Sequence, residues 1–170
     1  MEISATVVNQ DGRHQAMVRT GDKAQSLAIP AKAEGFGSAV NGGELLFLAL
    51  ATCYCNDIYR EAKTRGIDVE SVEVQVVGQF GAKGEPAENI SYRASVKAHG
   101  SERDVLDLMR YTDTVAEIHN TLRRATPVVL TECQVIPTKP RASGASNKFR
   151  GRAIGVNDRI MSGLPESEEK

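Results

Sequence analysis

The sequence predicts an α+β fold with elements in the order βββ-α-ββ-αα-β. Two patterns indicate this class: alternating, β-rich segments, and one long apolar run of helical character between them. A length of 170 residues is most simply one domain with a sizeable core. We expect that domain over residues 1–137, where the last predicted strand ends, and a separate tail over residues 138–170.

Three strands precede the long helix. The segments EISATVVNQ and HQAMVRT alternate on either side of an Asp-Gly turn signal, and AQSLAIPA gives a third strand that ends at Pro30. The helix should span residues 42–65, with Gly66 at its end. Asn41 and Glu44 form a capping-box pattern at its start.

The two halves of this helix differ in polarity. Residues 45–52 are apolar on all sides, so we expect them to be buried all round, whereas residues 56–65 are amphipathic and must reach solvent. Cys53 and Cys55 lie between the two halves, about 200° apart around the helix axis, close to opposite faces. They therefore cannot bridge to each other or bind one metal together. We expect Cys55 in the core.

A β-hairpin and two helices follow. The segments VESVEVQVVGQF and NISYRASVKAH alternate on both sides of the turn-rich GAKGEPAE. The next helix should start at Ser101, and the last helix at a second capping box made by Thr114 and Glu117. The inward residues of the first of these helices should be Val105, Leu106, Leu108 and Met109. TPVVLTECQVIP should form the last strand, which would make Cys133 a core or sheet residue.

Composition excludes several classes of function. The net charge of −1 gives no reason to expect nucleic acid or an anionic membrane as a partner. Three cysteines fit a reducing cytoplasm better than a disulfide scaffold, and the N-terminus lacks a signal-peptide pattern. The longest apolar run, residues 45–51, is too short to cross a bilayer. We expect a cytoplasmic protein with no metal and no cofactor.

The tail has a basic first part and an acidic end. Residues 138–152 carry five basic side chains and no acidic one, and ESEEK closes the chain. This composition is typical of a solvated, disordered segment. Six apolar side chains between residues 149 and 164 leave open a second possibility, that the tail docks on a partner subunit.

One motif in the long helix resembles a known family. ELL at residues 44–46, followed by small and apolar residues up to Cys53, resembles the central helix of the OsmC/Ohr family. The resemblance continues through GIDVESVEVQVVGQF and EIHNTLRRATPVVL, and it covers residues 2–136. Members of that family are thiol-dependent peroxidases that reduce organic hydroperoxides. Their fold is an intertwined homodimer whose sheets wrap two long central helices, so the resemblance implies a homodimer.

The resemblance also implies roles for individual residues. Cys53 matches the peroxidatic cysteine, which attacks as a thiolate, and Arg13 falls near the arginine that lowers the thiol pKa in the family. The second, resolving cysteine of the family falls on Ala116, so the usual internal disulfide cannot form. An external thiol reductant would then act directly on Cys53. The substrate pocket would include Leu46, Leu50 and Ala116.

Three neighbouring side chains could alter this chemistry. Asp57 lies one turn after Cys53 on the same helix face and would raise the thiol pKa, whereas Arg60, one turn further on, would lower it. His119 follows Ala116 by three residues. It is either a base that activates the thiol or a histidine on the helix surface.

Two functions from different classes remain open at this point. The first is a one-cysteine peroxidase that reduces organic hydroperoxides through Cys53. The second is a non-catalytic protein of the same fold that binds a small apolar or acyl ligand in the dimer pocket. An interaction protein that works through its basic tail has only composition in its favour. The reactivity of the Cys53 thiol distinguishes the first two.

Overall fold

The N-terminal part of the chain forms a three-stranded sheet. The computed structural model describes residues 1–10 and 13–136, so the predictions for the Asp-Gly turn and for the tail lie outside the described residues. Strands β1 (Ile3–Gln10), β2 (Arg13–Thr20) and β3 (Lys23–Leu27) are antiparallel in the order β1-β2-β3. The three predicted strands are thus confirmed, although β3 ends earlier than predicted.

The long helix has the predicted limits and caps. Helix α1 spans Gly42–Arg65. The Asn41 side chain accepts a hydrogen bond from the Glu44 N–H at 3.0 Å, and the Glu44 carboxylate accepts one from the Asn41 N–H at 2.7 Å. Gly66 ends the helix in the left-handed conformation, with φ of 68°. Because the backbone N–H and the side-chain carboxylate of Glu44 both bond Asn41, Glu44 is a structural residue at the helix start.

The predicted hairpin packs on this helix. Strands β4 (Asp68–Phe80) and β5 (Ala87–His99) pair antiparallel. Along much of each strand, half-buried residues alternate with exposed ones, so one face of the hairpin is partly covered. Gly78 allows the close approach of helix and sheet, because a Cβ there would lie 2.7 Å from the ring of Phe47. The helix and the hairpin therefore form one two-layer unit.

Two shorter helices also pack against α1. Helix α2 spans Glu102–Val115 and α3 spans Glu117–Arg123. Ser101 caps α2 as predicted, because its side chain accepts a hydrogen bond from the Asp104 N–H. The capping box predicted for Thr114 and Glu117 is wrong: α2 continues to residue 115, and Ala116 occupies the N-cap position of α3 with no side-chain cap.

The core of this unit lies between α1, α2 and the hairpin. Its fully buried cluster consists of Tyr54, Ile58, Ala62 and Leu108. The prediction of an inward Leu108 is confirmed, and Val105 and Met109 are partly buried beside it. Leu106 is 39% exposed, so its prediction as an inward residue is wrong. It lies two residues from Leu108, which places it about 200° away around the helix.

Large apolar surfaces remain uncovered in a single chain. Every residue of β1 and β3 is exposed, and Ala16 is the one buried position of the N-terminal sheet. On α1, Leu48 is 59% exposed, whereas Leu50 is buried. Residues 45–52 are thus not buried all round within one chain, because the hairpin covers only one side of the helix. Among the described residues, no helix combines the length and hydropathy needed to span a membrane.

The end of the described chain differs from the sequence prediction. Residues 126–136 have no regular secondary structure, although a last strand was expected over residues 126–137. None of the described strands pairs with this segment, so the alternation of its residues is not accompanied by strand structure. The chain divides into two units, residues 1–128 and 129–170. In the described part of the second unit the apolar side chains are exposed, and so is Cys133.

Candidate functional site

The thiol of Cys53 lies beside two carboxylates from different helices. Its Sγ donates to Oδ2 of Asp57 at 3.5 Å, one turn further along α1. The same Sγ lies 3.9 Å from Oε2 of Glu117, the first residue of α3. The break between α2 and α3 at Ala116 therefore brings the N-terminus of α3 to the thiol.

Arg60 joins the two carboxylates. Its Nη1 lies 2.7 Å from Oδ1 of Asp57 and 3.3 Å from Oε1 of Glu117. Its Nε donates to Glu61 at 3.0 Å. The guanidinium is about half exposed, whereas the Asp57 side chain is almost completely buried. The arginine thus compensates the charge of a buried carboxylate and acts on Cys53 through that carboxylate.

The surroundings raise the pKa of the Cys53 thiol. Burial is the largest cause, and the nearby charges of Asp57 and Glu117 act in the same direction. The backbone N–H of Ile118 bonds the sulfur and opposes these effects by stabilising the thiolate. Burial and the charge of Glu117 also raise the pKa of Asp57, which makes it a stronger base than an exposed aspartate. The thiol is thus mostly protonated at neutral pH and faces a proton acceptor.

The same three side chains are of the types that bind metals. One ligand atom each from Cys53, Asp57 and Glu117 lie within 4.8 Å of one another. Zinc accepts a thiolate and carboxylates as ligands. A cation here would compete with the Arg60 guanidinium, which already bonds both carboxylates. We therefore assign no metal to this cluster.

The histidine predicted as a possible base for the thiol, His119, is buried and makes no hydrogen bond to it. His119 is 5% exposed, so it is not a surface histidine. Its ring packs against the rings of Tyr54 and Tyr92, with centroids 6.1 Å and 4.8 Å away. Its neighbour Glu117, two residues earlier, is the α3 side chain that reaches Cys53. The base beside the thiol is therefore a carboxylate.

The other predicted site residues are distributed between two places. Ala116 is fully buried at the N-cap of α3, next to Glu117, and Leu50 is buried on α1. Leu46 is half-buried on the same helix. Arg13 begins β2 and lines a groove of the N-terminal sheet, so its predicted role at the thiol stays a prediction that depends on a second subunit.

The remaining cysteines do not join the site. Cys53, Cys55 and Cys133 are all free. Cys55 is half-buried on α1 and not in the core of a single chain, because the hairpin covers the opposite side of the helix. Cys133 is exposed and lies outside the described strands, so its prediction as a core or sheet residue is wrong.

Glu117 is the site residue that the sequence did not reveal. It is 64 positions from Cys53, and the pattern Thr-x-x-Glu suggested a cap. No local sequence pattern indicates which residue, at such a separation along the chain, contacts the thiol. Only the path of α2 over α1 decides this.

Comparison with known proteins gives a family and a fold. The family described as OsmC-like protein matches residues 35–131. The crystal structure of an OsmC-like protein from Mycoplasma pneumoniae matches with a TM-score of 0.53 and 18% identity, over 72% of this chain and 88% of that chain. An OsmC-like protein of unknown function from Vibrio cholerae matches with a TM-score of 0.50 and 16% identity, over 71% and 93%.

A third similar structure is that of a protein named for its function. It is an organic hydroperoxide resistance protein from Legionella pneumophila, with a TM-score of 0.44 and 20% identity, over 72% of this chain and 90% of that chain. No curated protein matches the sequence. Because the sequence identities are low, the first two structures establish the fold and nothing further. The predicted α+β class is confirmed.

Proposed function

We propose, since the chain belongs to the OsmC-like protein family, that it is a one-cysteine peroxidase that reduces organic hydroperoxides through Cys53. The observation that supports this proposal is the contact between the Cys53 thiol and the Asp57 carboxylate, a base of raised pKa. A thiol attacks a peroxide only as thiolate, so a protonated thiol needs a proton acceptor at the moment of reaction. Asp57 lies where such an acceptor must be.

The first half of the reaction oxidises the thiol. The Cys53 proton passes to Asp57, and the thiolate sulfur attacks the terminal oxygen of the hydroperoxide. The O–O bond breaks, the sulfur keeps the OH group as a sulfenic acid, and the alkoxide takes a proton to leave as an alcohol. The Ile118 N–H stabilises negative charge on the sulfur while this happens.

The second half restores the thiol with an external reductant. Ala116 occupies the place of a resolving cysteine, so no thiol of the site can attack the sulfenic acid. A small thiol attacks the Cys53 sulfur instead, water leaves, and a mixed disulfide forms. A second thiol molecule releases the Cys53 thiol and leaves as a disulfide. Two external thiols are consumed for each hydroperoxide.

The assembly that we propose is a homodimer. The exposed Leu48 and the N-terminal sheet, which lacks a core of its own, form apolar surfaces that a second copy would cover. The same contact would bring the sheet of one subunit, with Arg13, toward the other subunit. The substrate pocket would then lie between subunits, and Leu46 would border it.

A second candidate function rests on the raised pKa of the thiol. Burial and two carboxylates disfavour the thiolate at Cys53, in the direction opposite to that of an efficient thiol nucleophile. This observation favours a protein that keeps the fold and binds a small apolar or acyl ligand without turnover. Reactivity of the thiol distinguishes the two functions.

A peroxide-consumption assay tests the proposal. We expect wild-type protein to consume cumene hydroperoxide with dithiothreitol, and Cys53→Ser to lose this activity. Cys55→Ser is the matched control and should retain it, because Cys55 does not contact the carboxylates. Wild-type protein that consumes no hydroperoxide, with a Cys53 thiol that resists alkylation even at pH 10.5, would leave ligand binding as the function.

A further inference from the structure

A small cavity lies between α1, the hairpin and α3, and Cys53 is not part of its wall. Its volume is about 150 Å³. Four aliphatic side chains form most of the wall: Leu50, Val76, Ile90 and Leu122. The Tyr92 ring, His119 and Arg123 complete it. The cavity is thus apolar, with polar atoms on one side.

Almost every polar group of this wall already has a partner. The Tyr92 hydroxyl donates to the Asp113 carboxylate. Arg123 Nη2 lies 2.6 Å from the same carboxylate, and its Nη1 donates to the Asp113 carbonyl at 2.9 Å. The Tyr54 hydroxyl, behind the wall, donates to the Met109 carbonyl at 2.8 Å. The positive charge of Arg123 is therefore balanced within the protein.

His119 is the exception. Both of its ring nitrogens are buried, and neither has a hydrogen-bond partner among residues 1–10 and 13–136. Burial, with the nearby charge of Arg123, lowers the pKa of this imidazole, so it is neutral at physiological pH. A neutral imidazole offers one N–H donor and one acceptor nitrogen. A buried polar group without a partner is costly, so an imidazole in a cavity wall indicates a ligand that bonds it.

We propose that this cavity binds a small neutral molecule with an apolar body and one hydroxyl group, which hydrogen-bonds the imidazole of His119. A hydroxyl both donates and accepts, so it suits a neutral imidazole of either tautomer. A cavity of about 150 Å³ holds a molecule of about the size of benzene. Phenols and small alicyclic alcohols have this size and one hydroxyl. The cavity shares Leu50 with the predicted substrate pocket but does not use the thiol, so phenol binding can be measured separately from peroxidase activity.

The balance of charge disfavours an anion. Asp113 takes both the Arg123 guanidinium and the Tyr92 hydroxyl, and hydrogen bonds from these two groups outweigh burial and lower the pKa of Asp113. An anionic ligand would have to enter an apolar cavity in which the Arg123 guanidinium is already paired with Asp113. The free energy lost by removing the anion from water would then not be offset by a new ion pair. A carboxylate of the same size should therefore bind more weakly than the alcohol.

Calorimetric titration of the full chain with phenol, toluene and benzoate tests the site. Phenol and toluene have almost the same shape and differ in the hydroxyl. We expect phenol to bind the wild type about tenfold more tightly than toluene, the effect of one good hydrogen bond. In His119→Phe the preference for phenol should disappear. Cys53→Ser is the matched control and should bind phenol like the wild type.

A second measurement does not depend on the folding of a His119 variant. In the wild type, phenol should shift the ring nitrogen resonances of His119 in ¹⁵N NMR spectra, and toluene should not. His14→Gln and His99→Gln identify the His119 signals, since the chain has three histidines. Equal affinity for phenol and toluene, tighter binding of benzoate, or no binding of phenol at millimolar concentration would overturn the proposal.

Discussion

Arg60 bonds Asp57, with 2.7 Å between Nη1 and Oδ1, and so acts on the base beside the thiol. The arginine lowers the pKa of Asp57 against the opposing effects of burial and of Glu117. Two properties follow for Cys53. The thiolate form is disfavoured before substrate binds. The acceptor for the thiol proton is Asp57, and Arg60 limits its basicity by lowering its pKa.

Asp57→Asn should separate thiol acidity from turnover. Removal of one negative charge near the sulfur lowers the pKa of Cys53, so alkylation by iodoacetamide at pH 7 should accelerate by about tenfold, as a shift of one pKa unit gives. Hydroperoxide turnover should fall at the same time, because the proton acceptor is lost. Alkylation and peroxide-consumption rates of the same preparation check this. Parallel changes in both rates would mean that Asp57 acts on acidity alone.

The pH dependence of the wild type should show the raised thiol pKa. Stabilisation of the neutral thiol moves the pKa of Cys53 above its ordinary value of 9.0, so the thiolate fraction is small at pH 7. The alkylation rate should keep rising with pH beyond 9 instead of reaching a plateau below it. Alkylation of Cys53 between pH 6 and 10.5, followed by mass spectrometry, measures this. The Cys55→Ser, Cys133→Ser double variant, in which Cys53 is the remaining cysteine, is the control.

Oxidised protein should carry a sulfenic acid and no disulfide at Cys53. One equivalent of cumene hydroperoxide should leave Cys53 trapped by dimedone, and excess hydroperoxide should give the sulfinic acid. Peptide mass spectrometry detects both products. A Cys53–Cys133 disulfide in good yield would contradict the one-cysteine cycle.

Ala116→Cys should create the missing disulfide. Ala116 is fully buried at the N-cap of α3 and adjoins Glu117, which contacts the Cys53 sulfur. If the Cβ atoms lie within disulfide range, about 4 Å, peroxide treatment should join Cys53 to the new thiol. Turnover with dithiothreitol should then rise above that of the wild type.

A cysteine in an exposed position is the control for this variant. Thr114 lies in the last turn of α2 and is exposed. Thr114→Cys should therefore form no bridge to Cys53. Mass spectrometry without reduction compares the two variants. A folded Ala116→Cys protein that forms no bridge would show that the thiol and residue 116 do not meet in solution, and this outcome would favour the ligand-binding function.

Leu48→Asp should disrupt the homodimer. Leu48 is exposed in a single chain, so a carboxylate there is harmless to the fold of one subunit and costs several kcal/mol only if a partner buries it. Sedimentation velocity should show the wild type as a dimer and the variant as a smaller or aggregated species. Leu106→Asp, on α2, should remain dimeric. A wild type that sediments as a folded monomer would contradict the proposed assembly.

The sequence was informative where structure depends on near neighbours. The limits of α1 follow from Asn41, Glu44 and Gly66, because the cap and the C-terminal glycine act within one turn of the chain. The hairpin follows from alternation along two strands. These signals need no knowledge of the rest of the molecule.

The sequence was not informative where structure depends on distant partners. Glu117 reaches Cys53 because α2 crosses α1, and the Thr-x-x-Glu pattern suggested a different role for it. The last predicted strand alternates well, but alternation does not supply a neighbouring strand to pair with. The burial of His119 depends on two tyrosines from α1 and β5.

The exposed N-terminal sheet has a consequence for the kinetics of folding. The helix and the hairpin carry their own core, so they can collapse in a step whose rate does not depend on protein concentration. The sheet β1-β2-β3 has almost no buried residue of its own, so in the homodimer that we propose its final ordering would wait for a collision with another chain. Refolding should therefore show a fast first-order phase and a slower second-order phase. The second phase should accelerate in proportion to subunit concentration, and during protein synthesis it would be limited by the supply of finished chains.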